Sequence, residues 1–249
     1  MIRFLIVGSG SKGNATLVYD EDTLFQIDMG VPFKRVASGL EAINHSFSEV
    51  AGVLITHEHV DHVGTLETLP SFIPTFAANG TLAHPSHLVM PEEPFPLGSF
   101  YITPIALSHD AANTVGYIIT HQNEKLVYVT DTGFIPEADL PYMKNGTYYI
   151  IESNHDLKML MHSSRPLSLK LRIKGDFGHL SNRDSAAYMS GLVSSETKGI
   201  FLAHLSEECN TPELALKTYE DVFRKHGLDP NGFHIACAKQ WEPLLGGDL

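Results

Sequence analysis

The chain has 249 residues, 43% of them hydrophobic and 18% charged, with a formal net charge of −12. That is enough chain for one sizeable core, and α/β folds of this length are often a single domain; the acidic balance excludes a protein that coats nucleic acid non-specifically, because that binding comes from Lys and Arg neutralising phosphates, but it leaves room for a local basic groove. The two cysteines, Cys209 and Cys237, lack CxxC spacing, which excludes a disulfide framework or zinc ribbon and points to a reducing cytoplasm; no apolar run is long enough for a membrane span, and Ile2–Val7 is too short for a signal peptide.

In chain order, strand-like runs cover Ile2–Val7, Thr16–Tyr19, Thr23–Ile27, Gly52–Thr56, Tyr101–Ala106, Val115–Thr120 and Leu126–Val129. Helical patterns in this half fall at Val31–Leu40 and Val63–Leu69, and Pro91–Pro96 reads as a surface loop. Tyr148–Glu152 then reads as a strand, Ser181–Ser194 as a helix, Gly199–Ala203 as a strand, Pro212–His226 as a helix and His234–Ala236 as a last strand. Ser181 or Asn182 can cap the first of these helices, and Thr211 followed by Pro212 opens the second. Strands outnumber helices in both halves, which fits an α/β architecture of two sheets packed face to face with helices outside.

Six consecutive positions, His57-Glu-His-Val-Asp-His62, directly follow an apolar run. His57 and His59 are two apart, so in an extended segment both imidazoles fall on one side, while Asp61 and His62 follow at the turn into a helix. One metal ion needs three or four protein ligands and an open position for water, so four candidates here point to two ions. His109, Asp131 and His204 each stand near the C-terminal end of an apolar run, where their side chains would converge on one sheet edge. Two divalent ions so placed would activate water and stabilise developing negative charge, which is hydrolytic chemistry. The ligand types suit Zn2+, with Mn2+ or Fe2+ also accommodated.

Other stretches bear on the substrate. Gly8–Thr16, GSGSKGNAT, reads as a turn between strands; its Ser11 and Asn14 would also suit a phosphate. His179 precedes the helix that begins near Ser181, where the dipole and free N–H groups favour an anion. It could bond a phosphoryl oxygen or protonate a leaving oxygen, with Glu152 orienting it, and His155 is a further polar group nearby. Arg165, Lys170, Arg172, Lys174 and Arg183 face a single acid, Asp176, in an otherwise acidic chain. Such a local basic run suits a polyanion, with Arg172 and Ser181 as candidate contacts.

The order HxHxDH, His, Asp, His resembles the metallo-β-lactamase superfamily, and TDTG, ESNHD, KGDFGHLSN and IFLAHLSEECN resemble its YycJ/WalJ branch and, more distantly, RNase Z. The resemblance implies a four-layer αβ/βα sandwich. In it His57, His59 and His109 would hold one metal, Asp61, His62 and His204 the other, Asp131 would bridge them, and Asp28 would support the ligand loop from behind. It further implies a two-metal phosphodiesterase, a DNA 5′→3′ exonuclease, with DNA favoured over RNA as the substrate and catalysis resting on Asp61, His179 and Glu152. A small-molecule metallo-hydrolase (lactonase, thioesterase or cyclic phosphodiesterase) is the alternative. The 21 residues between His109 and Asp131 and the 26 between Glu152 and His179 are too few for the tRNA-gripping arm of RNase Z or a large cap domain. We therefore expect one domain over residues 1–249 with room for a small lid at 157–178, and the sequence is compatible with a homo-oligomer.

Overall fold

A computed structural model describes residues 1–247. The strands are β1 (Arg3–Gly8), β2 (Ala15–Tyr19), β3 (Leu24–Ile27), β4 (Val50–Leu54), β5 (Thr75–Ala78), β6 (His87–Val89), β7 (Phe95–Leu97), β8 (Phe100–Ala106), β9 (Val115–His121), β10 (Glu124–Val129), β11 (Tyr148–Glu152), β12 (Gly199–Ala203), β13 (His234–Cys237) and β14 (Leu244–Gly246). The helices are α1 (Phe33–Ala42), α2 (Val60–Val63), α3 (Leu140–Met143), α4 (Leu157–His162), α5 (Leu167–Lys174), α6 (Asn182–Leu192) and α7 (Pro212–Lys225). They form two seven-stranded sheets, ordered β14-β1-β2-β3-β4-β5-β6 and β13-β12-β11-β10-β9-β8-β7.

Side-chain alternation along each strand builds the layers. In β1, Phe4 and Ile6 enter the core between the sheets, whereas Leu5 and Val7 join the outer cluster with Val36 and Leu40 of α1. In β11, Tyr148 and Ile150 face the inter-sheet core and Tyr149 and Ile151 face outward onto Met189 of α6 and Tyr219 of α7. Strands buried on both faces read as continuous apolar runs, which is why these were legible. Phe4 meets Tyr148 and Phe201 edge-on, with ring centroids 5.7 and 4.8 Å apart, and so joins β1 of one sheet to β11 and β12 of the other. The α/β two-sheet expectation holds.

Each sheet is antiparallel on one side and parallel on the other. β3, β4, β5 and β6 pair in parallel, as do β10, β11, β12 and β13. Their C-terminal ends therefore point the same way and present several loops along one edge of the sandwich.

The elements depart from the sequence expectation at the sheet edges. Pro91–Pro96 is not wholly a surface loop: Phe95–Leu97 pairs with β8 as the edge strand β7, where a proline costs no ladder bond. In place of a helix over Val63–Leu69 the chain makes the short α2, a break at Gly64 and a 3-10 turn at Leu66–Thr68. Among the described residues no helix is long and apolar enough to cross a membrane.

Candidate metal centre

The turn after β4 carries His57, His59, Asp61 and His62. Its position is set by the loop after β3: Met29 N donates to His62 O at 2.7 Å, Asn14 N donates to Asp61 O at 2.7 Å, and a Cβ at Gly30 would lie 1.7 Å from Asp61 O. Only glycine permits that approach. Three further site residues end strands with left-handed backbone, Asp28 after β3 (φ 58°), Asp131 after β10 (φ 57°) and His204 after β12 (φ 54°). This region is uncommon for non-glycine residues and costs of order 1–3 kcal/mol each, a cost tolerated where surrounding structure holds a functional group in place.

The candidate ligands converge. His57, His59 and His109 bring one nitrogen each within 4.8 Å of one another, and so do the ligand atoms of Asp61, His62 and His204, with Asp131 joining His57 and His62 in a third such group. Two buried carboxylates, Asp28 and Glu152, set the nitrogen that His62, His204 and His179 offer. Asp28 Oδ2 lies 2.7 Å from His62 Nδ1 and Asp28 also accepts from Thr56 N and Oγ1, leaving His62 Nε2 toward Asp131 Oδ2 at 3.1 Å. His109 Nδ1 donates to Gly178 O at 3.0 Å, so its Nε2 faces His59 Nδ1 at 3.3 Å.

Glu152 is the second carboxylate. Its Oε1 accepts from His179 Nδ1 at 2.8 Å and His204 Nδ1 at 2.9 Å, and its Oε2 accepts from the backbone N–H groups of Thr132 at 3.1 Å and Leu180 at 3.0 Å. Glu152 also brings an oxygen within 4.8 Å of ligand atoms of Asp131, His179 and His204, but four donors already occupy both oxygens of this fully buried carboxylate, so its lone pairs are engaged in orienting the imidazoles.

Buried polar atoms are rarely left without a hydrogen-bond partner; of the ten side-chain atoms so left among the described residues, three, His57 Nε2, Asp131 Oδ2 and His204 Nε2, belong to candidate ligands of this one cluster. A cation in the cluster would satisfy them, and imidazole with carboxylate is a donor set for divalent transition metals. The residues fit divalent metal ions.

In the metal-free cluster the buried carboxylates favour protonated imidazoles at His62, His204 and His179. Burial opposes charge on His62, but Asp28 and Asp131 overcome it and raise its pKa to about 10. Burial likewise opposes charge on His204, which Asp131, Asp61 and Glu152 hold well above its ordinary value. Burial raises Asp131 and Glu152, yet the imidazoles win: His204 and His62 hold Asp131 well below the carboxylate range, and His179 and His204 hold Glu152 at about 2. His57, beside other imidazoles, is pushed down by burial and by His62. His179 is raised, because Glu152 and Asp131 outweigh its burial.

A cavity of about 640 Å³ opens onto the cluster, its wall including Ser11, Asp61, Asp131, His179 and His204. Across from them stand Arg165, Leu169, Arg172 and Ile173, from α5 and the link before it. Helices α4 and α5 pack together through Leu160 and Ile173 against Cys209. Of the five basic residues singled out above, Arg165 and Arg172 reach the cavity wall, and both are paired there: Arg165 Nε with Glu208 at 2.9 Å and Arg172 Nε with Asp110. The two cations that reach the cavity are thus each balanced by an acid.

Three expected substrate contacts are not on that wall. Asn14 is buried and donates to Gly10 O and Asp61 O, supporting the ligand turn. Ser181 caps α6 by accepting from Asp184 N at 3.2 Å and donating to Asp184 Oδ2 at 2.6 Å, so the helix N-terminus expected to favour a substrate anion already holds a carboxylate. His155 is buried, neither ring nitrogen has a partner among the described residues, and burial pushes its pKa down to about 4. Conversely, Asp110, Ser206 and Glu208 line the cavity without having been singled out. The adjacency of Asp110 to His109 was the one available signal.

Residues 27–196 match the family model described as a beta-lactamase superfamily domain. The chain is 32% identical over 240 residues to exodeoxyribonuclease YycJ of Bacillus anthracis, covering 91% of each chain. It is 31% identical over 231 residues to exodeoxyribonuclease WalJ of Streptococcus pneumoniae, covering 87% of this chain and 86% of that one. The metallo-β-lactamase fold protein YhfI of Bacillus subtilis superposes with a TM-score of 0.74 at 17% identity, over 98% of this chain and 99% of its own; that likeness speaks to the fold. The chain belongs to the metallo-β-lactamase superfamily, in the branch that holds YycJ and WalJ.

Proposed function

We propose that this protein is a metal-dependent phosphodiesterase that degrades DNA as an exonuclease, with the 5′→3′ polarity that the resemblance to YycJ and WalJ implies. The observation that carries the reading is His179: anchored through Nδ1 on Glu152, it keeps Nε2 free on the wall of the cavity that also contains Asp61, Asp131 and His204. A plain hydrolytic centre needs the metal ligands alone, whereas this imidazole adds a proton donor where an oxygen leaves. The names of the relatives at 31–32% identity support the same substrate.

His57 Nε2, His59 Nδ1 and His109 Nε2 would hold one ion, and Asp61, His62 Nε2 and His204 Nε2 a second, with Asp131 between them; Zn2+ and Mn2+ both suit this set. Bound ions would supply Lewis acidity toward phosphoryl oxygens and acidify water to near neutrality. Glu152 keeps Nδ1 of His179 protonated, so the proton that the ring gives to the leaving oxygen departs from Nε2. Glu152 and Asp131 raise the pKa of His179 against its burial, which favours the protonated ring that a proton donor requires. Asp28 does for His62 what Glu152 does for His204, fixing the tautomer that leaves Nε2 as the ligand atom. Helices α4 and α5 act as a small lid, tied down by the Arg165–Glu208 and Arg172–Asp110 pairs.

The test compares hydrolysis of oligonucleotides and of chromogenic esters over a salt series. A DNA enzyme loses affinity steeply as salt rises, since counterions compete for the phosphates. Turnover of esters with salt-independent kinetics and no DNA cleavage would instead select the small-molecule hydrolase.

A further inference from the structure

Phe177 is 64% exposed, although it forms part of the cavity wall next to Gly178 and His179. Phe72, Tyr101, Phe134, Tyr142 and Trp241 are exposed as well, but among the described residues Phe177 is the only phenyl, phenol or indole ring on this cavity wall. The backbone around it is nevertheless fixed. Ser108 Oγ donates to Asp176 O at 2.8 Å, Gly178 N donates to Gly175 O and His179 N to Ile173 O, both at 2.8 Å, and Gly178 O accepts from His109 Nδ1 at 3.0 Å. On the opposite side a Cβ at Gly133 would fall 2.2 Å from Asp176 O, so the loop after Asp131 lies directly against this segment. The ring is held out into the cavity by rigid backbone.

The same segment carries His179, and residues two apart in a chain have Cα atoms within about 7 Å. Phe177 and His179 are therefore placed to address one nucleotide. The cavity is divided as a nucleotide is: Asp61, Asp131, His179 and His204 line it where a phosphate would sit, and Phe177, Leu169 and Ile173 supply an apolar wall.

We propose that Phe177 is the platform on which the nucleobase beside the scissile phosphodiester stacks. The proposal rests on the phosphodiesterase reading above. Every base has a π-face, so such a platform is indifferent to sequence.

Three readouts test it, using wild type, Phe177→Ala and Phe177→Tyr with Mn2+ on 5′-phosphorylated single-stranded DNA and on the same oligonucleotide made abasic at its 5′ end. Phe177→Ala is expected to raise KM by about 5- to 150-fold on natural DNA with kcat little changed, to lose most of that penalty on the abasic strand, and to be rescued by Phe177→Tyr. Phe177→Trp in EDTA-treated protein is expected to show fluorescence quenching by single-stranded DNA and much less by the same strand made abasic at its 5′ end. An unchanged KM in an active Phe177→Ala enzyme, or an equal rise on natural and abasic strands, overturns the stacking role and leaves the nuclease reading standing. Quenching without any DNA cleavage by the wild type would retain the platform and overturn the nuclease; neither quenching nor cleavage removes both.

Discussion

Replacing Glu152 with glutamine keeps the shape of the side chain and removes what the site uses. Four donors converge on its two oxygens, at 2.8 and 2.9 Å from the imidazoles and 3.0 and 3.1 Å from the backbone, and an amide can accept at only one end. If its NH2 faces the backbone, the N–H groups of Thr132 and Leu180 lose their acceptor inside a fully buried site, at about 1–3 kcal/mol each. If it faces the imidazoles, both must present Nδ1 as an acceptor and move their hydrogens to Nε2. His204 Nε2 then cannot ligate and His179 loses the charge stabilisation that makes it an acid. Removal of such a partner typically weakens metal affinity or activity about 10- to 100-fold, and loss of a general acid lowers kcat by about 10²–10⁴. We expect Glu152→Gln to show a lowered melting temperature, weaker binding of the second ion in a calorimetric titration, and kcat on labelled DNA reduced within that range at saturating metal. In a double-mutant cycle, adding His179→Ala should cost much less than it does in the wild type. A Glu152→Gln protein with wild-type melting temperature, metal affinity and kcat would refute the reasoning.

Metal affinity should rise with pH. His62 is held protonated up to about 10, and a ligand nitrogen must be free of its proton, so binding at neutral pH expels protons and tightens as pH increases; calorimetry in buffers of different ionisation enthalpy measures the release, and none would contradict the charge state. The stability linkage has the opposite sign. His62 has a folded pKa above its unfolded 6.5, so its contribution to the metal-free fold is complete below about 6.5 and is lost as pH rises through about 10. Chemical denaturation at pH 6 and pH 9 in EDTA should show that loss, and Asp28→Asn should diminish it. In the core, Phe201→Ala removes a ring packed on Phe4 between the sheets and should destabilise the protein by about 3–5 kcal/mol by urea unfolding, with the metal stoichiometry of the surviving folded fraction unchanged.

The central strands and the candidate ligands at their ends were legible for one physical reason: parallel strands buried on both faces are apolar throughout, and polar residues capable of ligation interrupt that pattern abruptly. Asp131 and His204 stood out in this way, and His109 did so beyond the antiparallel, half-exposed β8, although only the fold reveals that Asp131 and His204 adopt left-handed backbone. The edge elements were not legible. β6 and β7 have three residues each, too short for a period to register, and Pro96 argues against a strand unless its position at a sheet edge is known. Polar residues were assigned by type, but type does not distinguish a contact from a support. Asn14 and Ser181 have side chains suited to phosphate, yet one holds the Asp61 turn and the other caps α6. The pairing of Arg165 and Arg172 with Glu208 and Asp110 joins residues 43 and 62 positions apart, a separation no local pattern reports. Glu152 is the opposite case: its role as an orienting group could be read from its place at a strand end, while the four-donor saturation that engages its lone pairs needed the geometry.

The most direct test of the account is the cleavage of 5′-phosphorylated single-stranded DNA by purified protein loaded with Mn2+ or Zn2+, followed by resolution of the products. The account predicts that mononucleotides appear from the 5′ end from the first time points, that chelation stops the reaction, and that Asp61→Ala abolishes it while retaining the fold. Full activity in metal-free Asp61→Ala protein, or no DNA hydrolysis by the metal-loaded wild type under any of these conditions, would contradict it.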